Sequence, residues 1–184
     1  MDISKMNSDN SFLLNNEGSS LSQSSLPGVN IWKTAGDKPG EKVYRAEWRL
    51  LKSLLMQVIN PFGEATISFS FKDNNDTELY TGSFKSHKKK FRKLIDSQTL
   101  EEYDVIFHAK WLQNTSCELL KNNVQIFCWT NDNKGGGTIC QKDTPIADIA
   151  SKTSGSIAGY KQIDIVAEAD NTLLLAFITM VYSY

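Results

Sequence analysis

The sequence predicts one α+β domain, in which an antiparallel or mixed sheet of five to six strands packs with two to three helices behind a disordered N-terminal tail. A chain of 184 residues has room for one domain and a tail. Its apolar content of 40%, with nine Phe, six Tyr and four Trp, is enough for a hydrophobic core. Stretches of alternating apolar and polar residues predict strands, and stretches with helical spacing predict helices.

The tail is assigned to residues 1–32 and the domain to residues 33–184. The first 28 residues are rich in Ser and Asn and carry few hydrophobes, so they bury too little to offset their ordering entropy. A short apolar segment at 26–32 ends this tail, and such segments often dock on a folded surface. Docking on the chain's own domain and docking on a neighbouring copy are both open. The candidate self-association residues are Leu26, Val29, Ile31 and Trp32.

The first half of the domain predicts a helix, a hairpin and a second helix. Residues 42–59 carry apolar side chains at helical spacing, although the alternation from Tyr44 to Leu50 also suits a strand. Ile67, Phe69 and Phe71 predict a strand that returns at 77–84. A short helix is expected at 86–96.

The second half predicts mostly strands. Alternation at 103–111 and the apolar run at 124–130 predict two of them, and a short helix is expected at 145–152. Strands at 160–169 and 172–182 would be joined by a tight turn at Asp170-Asn171. The last segment is apolar on both faces, so we expect it to be central or covered.

The net charge of −1 hides an asymmetry along the chain. Residues 33–93 carry 13 Lys and Arg against 7 Asp and Glu, whereas residues 94–184 carry 6 against 11. Folding either mixes these halves in space or keeps them apart as a basic and an acidic face. Two such faces would suit an anionic partner or association between copies.

The densest charge cluster lies at 85–93, where six cations occur in nine residues without an acid. Like charges this dense destabilise a helix, and that cost favours binding to RNA, to anionic lipid or to an acidic protein face over a merely solvated surface. The candidate anion-binding residues are Lys85, Lys88, Lys89, Lys90, Arg92 and Lys93.

No catalytic residue, metal site or cofactor is predicted. Neither His87 nor His108 has a metal-ligand spacing. Cys117, Cys128 and Cys140 are odd in number and well separated in sequence, which argues against a disulfide framework and for a reducing compartment.

We expect an intracellular, cytoplasmic protein. The chain opens without a charged and apolar signal segment. Its longest apolar run, residues 173–181, is shorter than the ~20 residues of a membrane-spanning helix. Any membrane contact would therefore be peripheral.

The overall plan resembles that of the small matrix proteins of rhabdoviruses, particularly those that infect plants. The similarity lies in the chain length, the polar N-terminal segment ahead of one α+β domain, the basic cluster at 85–93 and the lack of catalytic residues. It implies a non-enzymatic structural protein that associates with itself and bridges a ribonucleoprotein and a membrane. The alternative function is that of a nucleic-acid-binding accessory protein that uses the basic segment at 85–93.

Overall fold

The computed structural model describes residues 10–16, 28–36, 38–50, 66–85, 91–108, 115–132, 134–166 and 170–182. These residues form a closed antiparallel barrel of twelve strands and one α-helix, α1. The strands are β1 (Ser11–Asn16), β2 (Val29–Ala35), β3 (Lys38–Leu50), β4 (Thr66–Asp73), β5 (Glu78–Lys85), β6 (Phe91–Asp96), β7 (Glu102–His108), β8 (Ser116–Lys121), β9 (Val124–Asn131), β10 (Gly137–Gln141), β11 (Thr144–Ser151) and β12 (Lys161–Ile165), and α1 covers Asn171–Tyr182.

The barrel is a meander in which each strand pairs with its neighbours in the chain. Among the described strands, one pairing joins distant parts of the sequence: β1 pairs with β12 as well as with β2, and this closes the ring. Leu14 of β1 lies opposite Ile31 on one side and opposite Lys161 on the other. Chain order therefore becomes position around the barrel.

Local sequence explains several of the hairpins. In β4, buried Ile67, Phe69 and Phe71 alternate with outward polar residues, as the two-residue period of a half-buried strand requires. Two-residue turns at 122–123 and 142–143 join β8 to β9 and β10 to β11. All four turn residues have positive φ, which is typical of the turns that match strand twist.

The helix α1 occupies the barrel interior. Its nine consecutive residues from Leu173 to Val181 are each no more than 7% exposed, so the helix is covered on every side. Phe177 lies against Phe127 of β9, with ring centroids 6.2 Å apart. On another part of the wall, a Cβ built on Gly82 of β5 would clash with the backbone carbonyl oxygen of Lys93 on β6 and would also lie 2.5 Å from the Met180 terminal methyl group, so glycine is needed there. Among the helices in the described residues, none is long and apolar enough to cross a membrane.

Asp170 starts this helix. Its Oδ1 accepts hydrogen bonds from the backbone N–H groups of Thr172 and Leu173 at 3.1 and 3.2 Å. These bonds satisfy two donors that the first turn of a helix leaves without partners. The residue predicted to form a tight turn is thus a helix cap.

The predicted α+β fold of five to six strands with two to three helices is wrong, because the described residues form a twelve-stranded barrel around α1. Three expected helices contain strands instead. β3 covers the start of 42–59, β6 covers 91–96, and β11 covers 144–151. The strand expected at 172–182 is α1. Residues 51–59 and 86–90 lie outside the described residues.

Part of the predicted tail belongs to the barrel. β1 at 11–16 and the start of β2 at 29–32 both fall within residues 1–32. They bury Phe12, Leu14, Val29 and Ile31 in the core. Two short apolar clusters in a polar segment were therefore strands, each too short to show a clear alternation. The hairpin prediction at 67–71 and 77–84 is confirmed by β4 and β5.

Candidate binding surface

The outer wall of the barrel keeps the two charged halves of the sequence apart. Because the meander turns chain order into position around the ring, the basic half forms one side and the acidic half the other. We define the basic wall as Arg45, Arg49, Lys72, Lys85 and Lys93, which are five of the cations that β3 to β6 carry. We define the acidic wall as the outward carboxylates of β7 to β12, which are Glu102, Asp104, Glu118, Asp148 and Asp164.

Two carboxylates, Glu47 and Glu78, sit among the cations of the basic wall. Glu47 lies 3.0 Å from Arg49, 3.4 Å from Arg45 and 3.8 Å from Lys72. Burial raises the pKa of Glu47, but the hydrogen bond from Arg49 and the charges of Lys72 and Arg45 outweigh that effect and hold it below its ordinary value. Glu47 therefore stays ionised and is shared by three cations.

A shallow depression of about 230 Å³ lies on this wall over β3, β4 and β5. Arg49 and Lys72 contribute N–H donors to its lining. Hydroxyl groups come from Ser68, Ser70 and Thr81, with Glu47 and Glu78 also in the lining. Cationic donors and hydroxyls are groups that bind an oxygen-rich anion such as phosphate, and Glu47 and Glu78 offset the charge of the two cations.

The predicted anion-binding residues divide between the outside and the inside of the barrel. Lys85 and Lys93 are exposed on the basic wall, and Lys93 pairs with Glu102 at 2.5 Å. Lys88, Lys89 and Lys90 lie outside the described residues. Two strands next to each other, β5 and β6, therefore carry the two exposed cations at the edges of this segment.

Arg92 is inside. It is 5% exposed, and its guanidinium lies 4.6 Å from the Phe84 ring centroid and 4.3 Å from that of Phe107. Its Nη1 donates a hydrogen bond to the backbone carbonyl of Met180 in the last turn of α1. The C-terminal end of a helix carries a partial negative charge, so the helix dipole also stabilises a cation at that position. Arg92 thus anchors the interior helix.

The predicted self-association residues also divide. Val29 and Ile31 are fully buried in the core, whereas Trp32 is half-buried and lies opposite Leu13 of β1. Leu26 lies outside the described residues. Val29 and Ile31 therefore pack into the chain's own domain, which is one of the two alternatives for this segment. For Leu26 and Trp32, contact with a neighbouring copy stays a prediction.

Sequence reasoning missed Arg45, Glu47 and Arg49. The signal was present in the alternation from Tyr44 to Leu50, which puts these three ionic residues on the face opposite Ala46 and Trp48. Helical spacing in the same stretch competes with that signal and predicts the helix at 42–59 instead.

Other polar groups on the wall are more dispersed. His108 Nε2 lies 3.1 Å from Glu118 Oε2 on an exposed part of the acidic wall. Asp148 and Asp164 lie directly opposite each other on β11 and β12. Burial, and secondarily the charge of Asp164, raise the pKa of Asp148. Within the part of the chain described, no three His, Cys, Asp or Glu residues are grouped to hold a metal ion.

The sequence matches none of the family models, curated proteins or solved structures with which it was compared. The fold and the arrangement of charge on the barrel are therefore the basis for a proposal about function.

Proposed function

We propose that this protein is a non-enzymatic binding protein that attaches to the phosphate groups of an anionic membrane surface through its basic wall. The observation that carries the proposal is the grouping of five outward cations on four adjacent strands. Each Lys or Arg near an anionic membrane contributes about 1 kcal/mol of attraction. Five such residues attract an anionic surface, and Glu47 and Glu102, which pair with four of them, offset part of that attraction.

The depression supports a phosphate group as the ligand. Arg49 and Lys72 lie at the same small surface as three hydroxyl side chains. A phospholipid headgroup presents its phosphodiester at the membrane surface, where cationic side chains of a barrel wall can contact it. Charge-assisted hydrogen bonds from Arg and Lys to phosphate are about twice as strong as neutral ones.

Lipid is favoured over RNA by the side chains of the same wall. The outward side chains described on β3 to β6 are ionic, hydroxyl-bearing or aliphatic, such as Ser83 and Ile95, and the side chain of Phe91 on β6 lies outside the description. Single-stranded RNA binding usually adds aromatic rings on which bases stack. RNA remains the competing partner that the experiment must separate.

The test is co-sedimentation of the full chain with vesicles of phosphatidylcholine, alone or mixed with phosphatidylserine. The double variant Arg49→Gln, Lys72→Gln should bind the anionic vesicles about thirtyfold more weakly, since two cations at about 1 kcal/mol each are removed. The matched control is Lys134→Gln, Lys142→Gln, which removes two exposed lysines from loops elsewhere on the barrel.

Three outcomes distinguish the partners. Loss of binding in the first variant alone supports the proposal. Equal losses in both variants indicate attraction by overall charge and contradict a specific basic wall. Tight binding of single-stranded RNA at the same salt, without vesicle binding, assigns the wall to nucleic acid instead.

A second function is favoured by the acidic wall. Opposite charges on two sides of one barrel allow the basic wall of one copy to meet the acidic wall of the next, and such head-to-tail contacts can propagate. Self-association at a membrane is also what the resemblance to rhabdovirus matrix proteins implies. The barrel replaces the α+β domain on which part of that resemblance rests, and self-association stays a proposal here.

Charge reversal tests this second function by light scattering across protein concentration and at two salt levels. Arg49→Glu, Lys85→Glu should stay small, and so should Asp104→Lys, Glu118→Lys. An equal mixture of the two variants should assemble again, because each reversed wall then meets an opposite charge. A mixture that stays monomeric while the unmodified chain assembles contradicts pairing of the two walls.

A further inference from the structure

Two cysteines face each other across adjacent strands. The register of β9 and β10 places Cys128 directly opposite Cys140. Both are half-buried free thiols, and both alternate with inward residues, Trp129 and Ile139 among them, so they share the outer face. The connection between β9 and β10 contains Gly135 and Gly136, and Gly137 begins β10.

Their positions suit a disulfide bond. Directly opposed residues of an antiparallel pair have Cα atoms about 4.5 to 5.5 Å apart. Disulfides need Cα separations of about 4.4 to 6.8 Å. Two Cβ atoms on the same face of such a pair therefore lie close enough for the sulfurs to bond without a change of register.

We propose that Cys128 and Cys140 form an oxidation site whose reaction partner is a small oxidised thiol compound such as glutathione disulfide. The thiolate of one cysteine attacks the glutathione disulfide, forms a mixed disulfide and expels one glutathione thiolate. The thiolate of the second cysteine then attacks the protein sulfur of the mixed disulfide and expels the other glutathione. Two protein thiols lose two electrons and two protons, and glutathione disulfide gains them to become two glutathione molecules.

The surroundings set the rate of this reaction. Burial raises the pKa of both thiols, and the charge of Glu118, opposite Cys128 on β8, adds to that effect at Cys128. Because the thiolate is the reactive form, the bridge forms faster as pH rises above neutrality. The product ties β9 to β10 and closes a covalent ring around the glycine loop.

The third cysteine is an internal control. Cys117 is fully buried and belongs to the core cluster. It is shielded from a solute the size of glutathione while the barrel is folded, so only two of the three thiols should react.

The experiment treats the folded full chain with glutathione disulfide at mildly alkaline pH and measures intact mass and free thiols. We expect the mass to fall by two hydrogens and the free thiols to fall from three to one. Digestion should yield a linked peptide pair that contains Cys128 and Cys140, and Cys117→Ser should form the same bridge.

Matched variants separate a bridge from general thiol reactivity. Cys128→Ser should stop at a glutathione adduct on Cys140, and Cys140→Ser should stop at an adduct on Cys128. Glutathione adducts on both cysteines of the unmodified chain, links between chains, or three unreacted thiols would each overturn the proposal. Oxidation that occurs only after unfolding in denaturant would overturn it as well.

Discussion

The inner and outer faces of a single strand differ more in side-chain exposure than two different strands of the barrel do. In β4, Phe69 and Phe71 are at most 2% exposed, while Ser68 and Ser70, on either side of Phe69, face outward. The difference is sharpest on β6, where Arg92 is buried beneath α1 and the next residue, Lys93, is exposed on the basic wall. Whether a residue serves the core or the surface is thus decided by its place in the two-residue period, even for residues of the same charge.

The largest expected effect comes from the inner face of β4. Phe69 packs against Trp48 and Phe71, with ring centroids 4.5 and 6.4 Å apart. Phe69→Ala should lower the free energy of unfolding by about 3–5 kcal/mol through lost burial and a cavity. Its outward neighbour gives the control, because Ser70→Ala should change stability by no more than about 0.5 kcal/mol. Urea unfolding monitored by tryptophan fluorescence measures both, and similar losses would break the comparison.

The next effect concerns the two cations of β6. Arg92→Met keeps apolar volume but leaves the Met180 carbonyl without the hydrogen bond from Arg92, so we expect a loss of about 1–3 kcal/mol. Lys93→Met removes an exposed ion pair with Glu102, which contributes about 0–1 kcal/mol. Thermal unfolding by circular dichroism checks the pair. Equal costs for the two variants would argue against an anchoring role for Arg92.

A smaller effect tests how the charge of the basic wall determines vesicle binding. Glu47→Gln removes the carboxylate that Arg45, Arg49 and Lys72 share, and should strengthen binding to anionic vesicles about fivefold, near 1 kcal/mol for one charge. Glu118→Gln, on the acidic wall, should leave vesicle binding unchanged. Vesicle titration by fluorescence anisotropy compares the two. Weaker binding in Glu47→Gln would indicate that this carboxylate positions the cations for the lipid.

The smallest effect depends on pH and on Asp148. A carboxyl group whose pKa is raised on folding binds its proton more tightly in the folded state. That contribution to stability is full below the ordinary pKa of 3.8 and is lost as pH rises through the folded-state value. Asp148→Asn should therefore stabilise the protein at pH 7, by at most about 1 kcal/mol after solvent screening, and the gain should vanish in acid.

Asp132 gives the opposite sign. Backbone N–H groups of Lys134 and Gly136 bond to its carboxylate and lower its pKa. Asp132→Asn should therefore lower stability at pH 7, with a difference that shrinks in acid. Urea midpoints at pH 7 and at about pH 3 test both variants. A gain in Asp148→Asn that persists in acid would argue against burial of its charge as the cause.

Hairpins with clear alternation could be predicted from the sequence, and those with competing patterns could not. β4 and β5 were predictable because Ile67, Phe69 and Phe71 leave no helical alternative. The apolar run of α1 has no polar face, and a buried strand and a buried helix are then alike in periodicity. Asp170 was the distinguishing signal, since Asp before a run of Leu and Ala is a helix cap.

Only part of the candidate surface could be predicted from the sequence. The charge asymmetry could be counted, but whether the halves stay apart depends on a meander topology that no local pattern reveals. The basic cluster at 85–93 could be predicted from the sequence. The inward direction of Arg92 could not, because it depends on strand β6 in a segment whose sequence predicts a helix. In the same way, the register that brings Cys128 to Cys140 needed the bounds of β10 as well as those of β9.

The closure of the barrel by β1 has a consequence for how the chain folds. Ser11 and Asp164 share a hydrogen bond across 153 positions of sequence, and α1 follows every strand that surrounds it. Local hairpins such as β4–β5 form at a small cost in loop-closure entropy. The barrel cannot close around α1 until β1 and β12, which are distant in sequence, have paired. Long-range pairing of this kind slows folding. Until that last seam closes, the apolar faces of β1, β12 and α1 remain exposed together, so the nascent chain passes through a period in which it is most open to aggregation and to capture by chaperones.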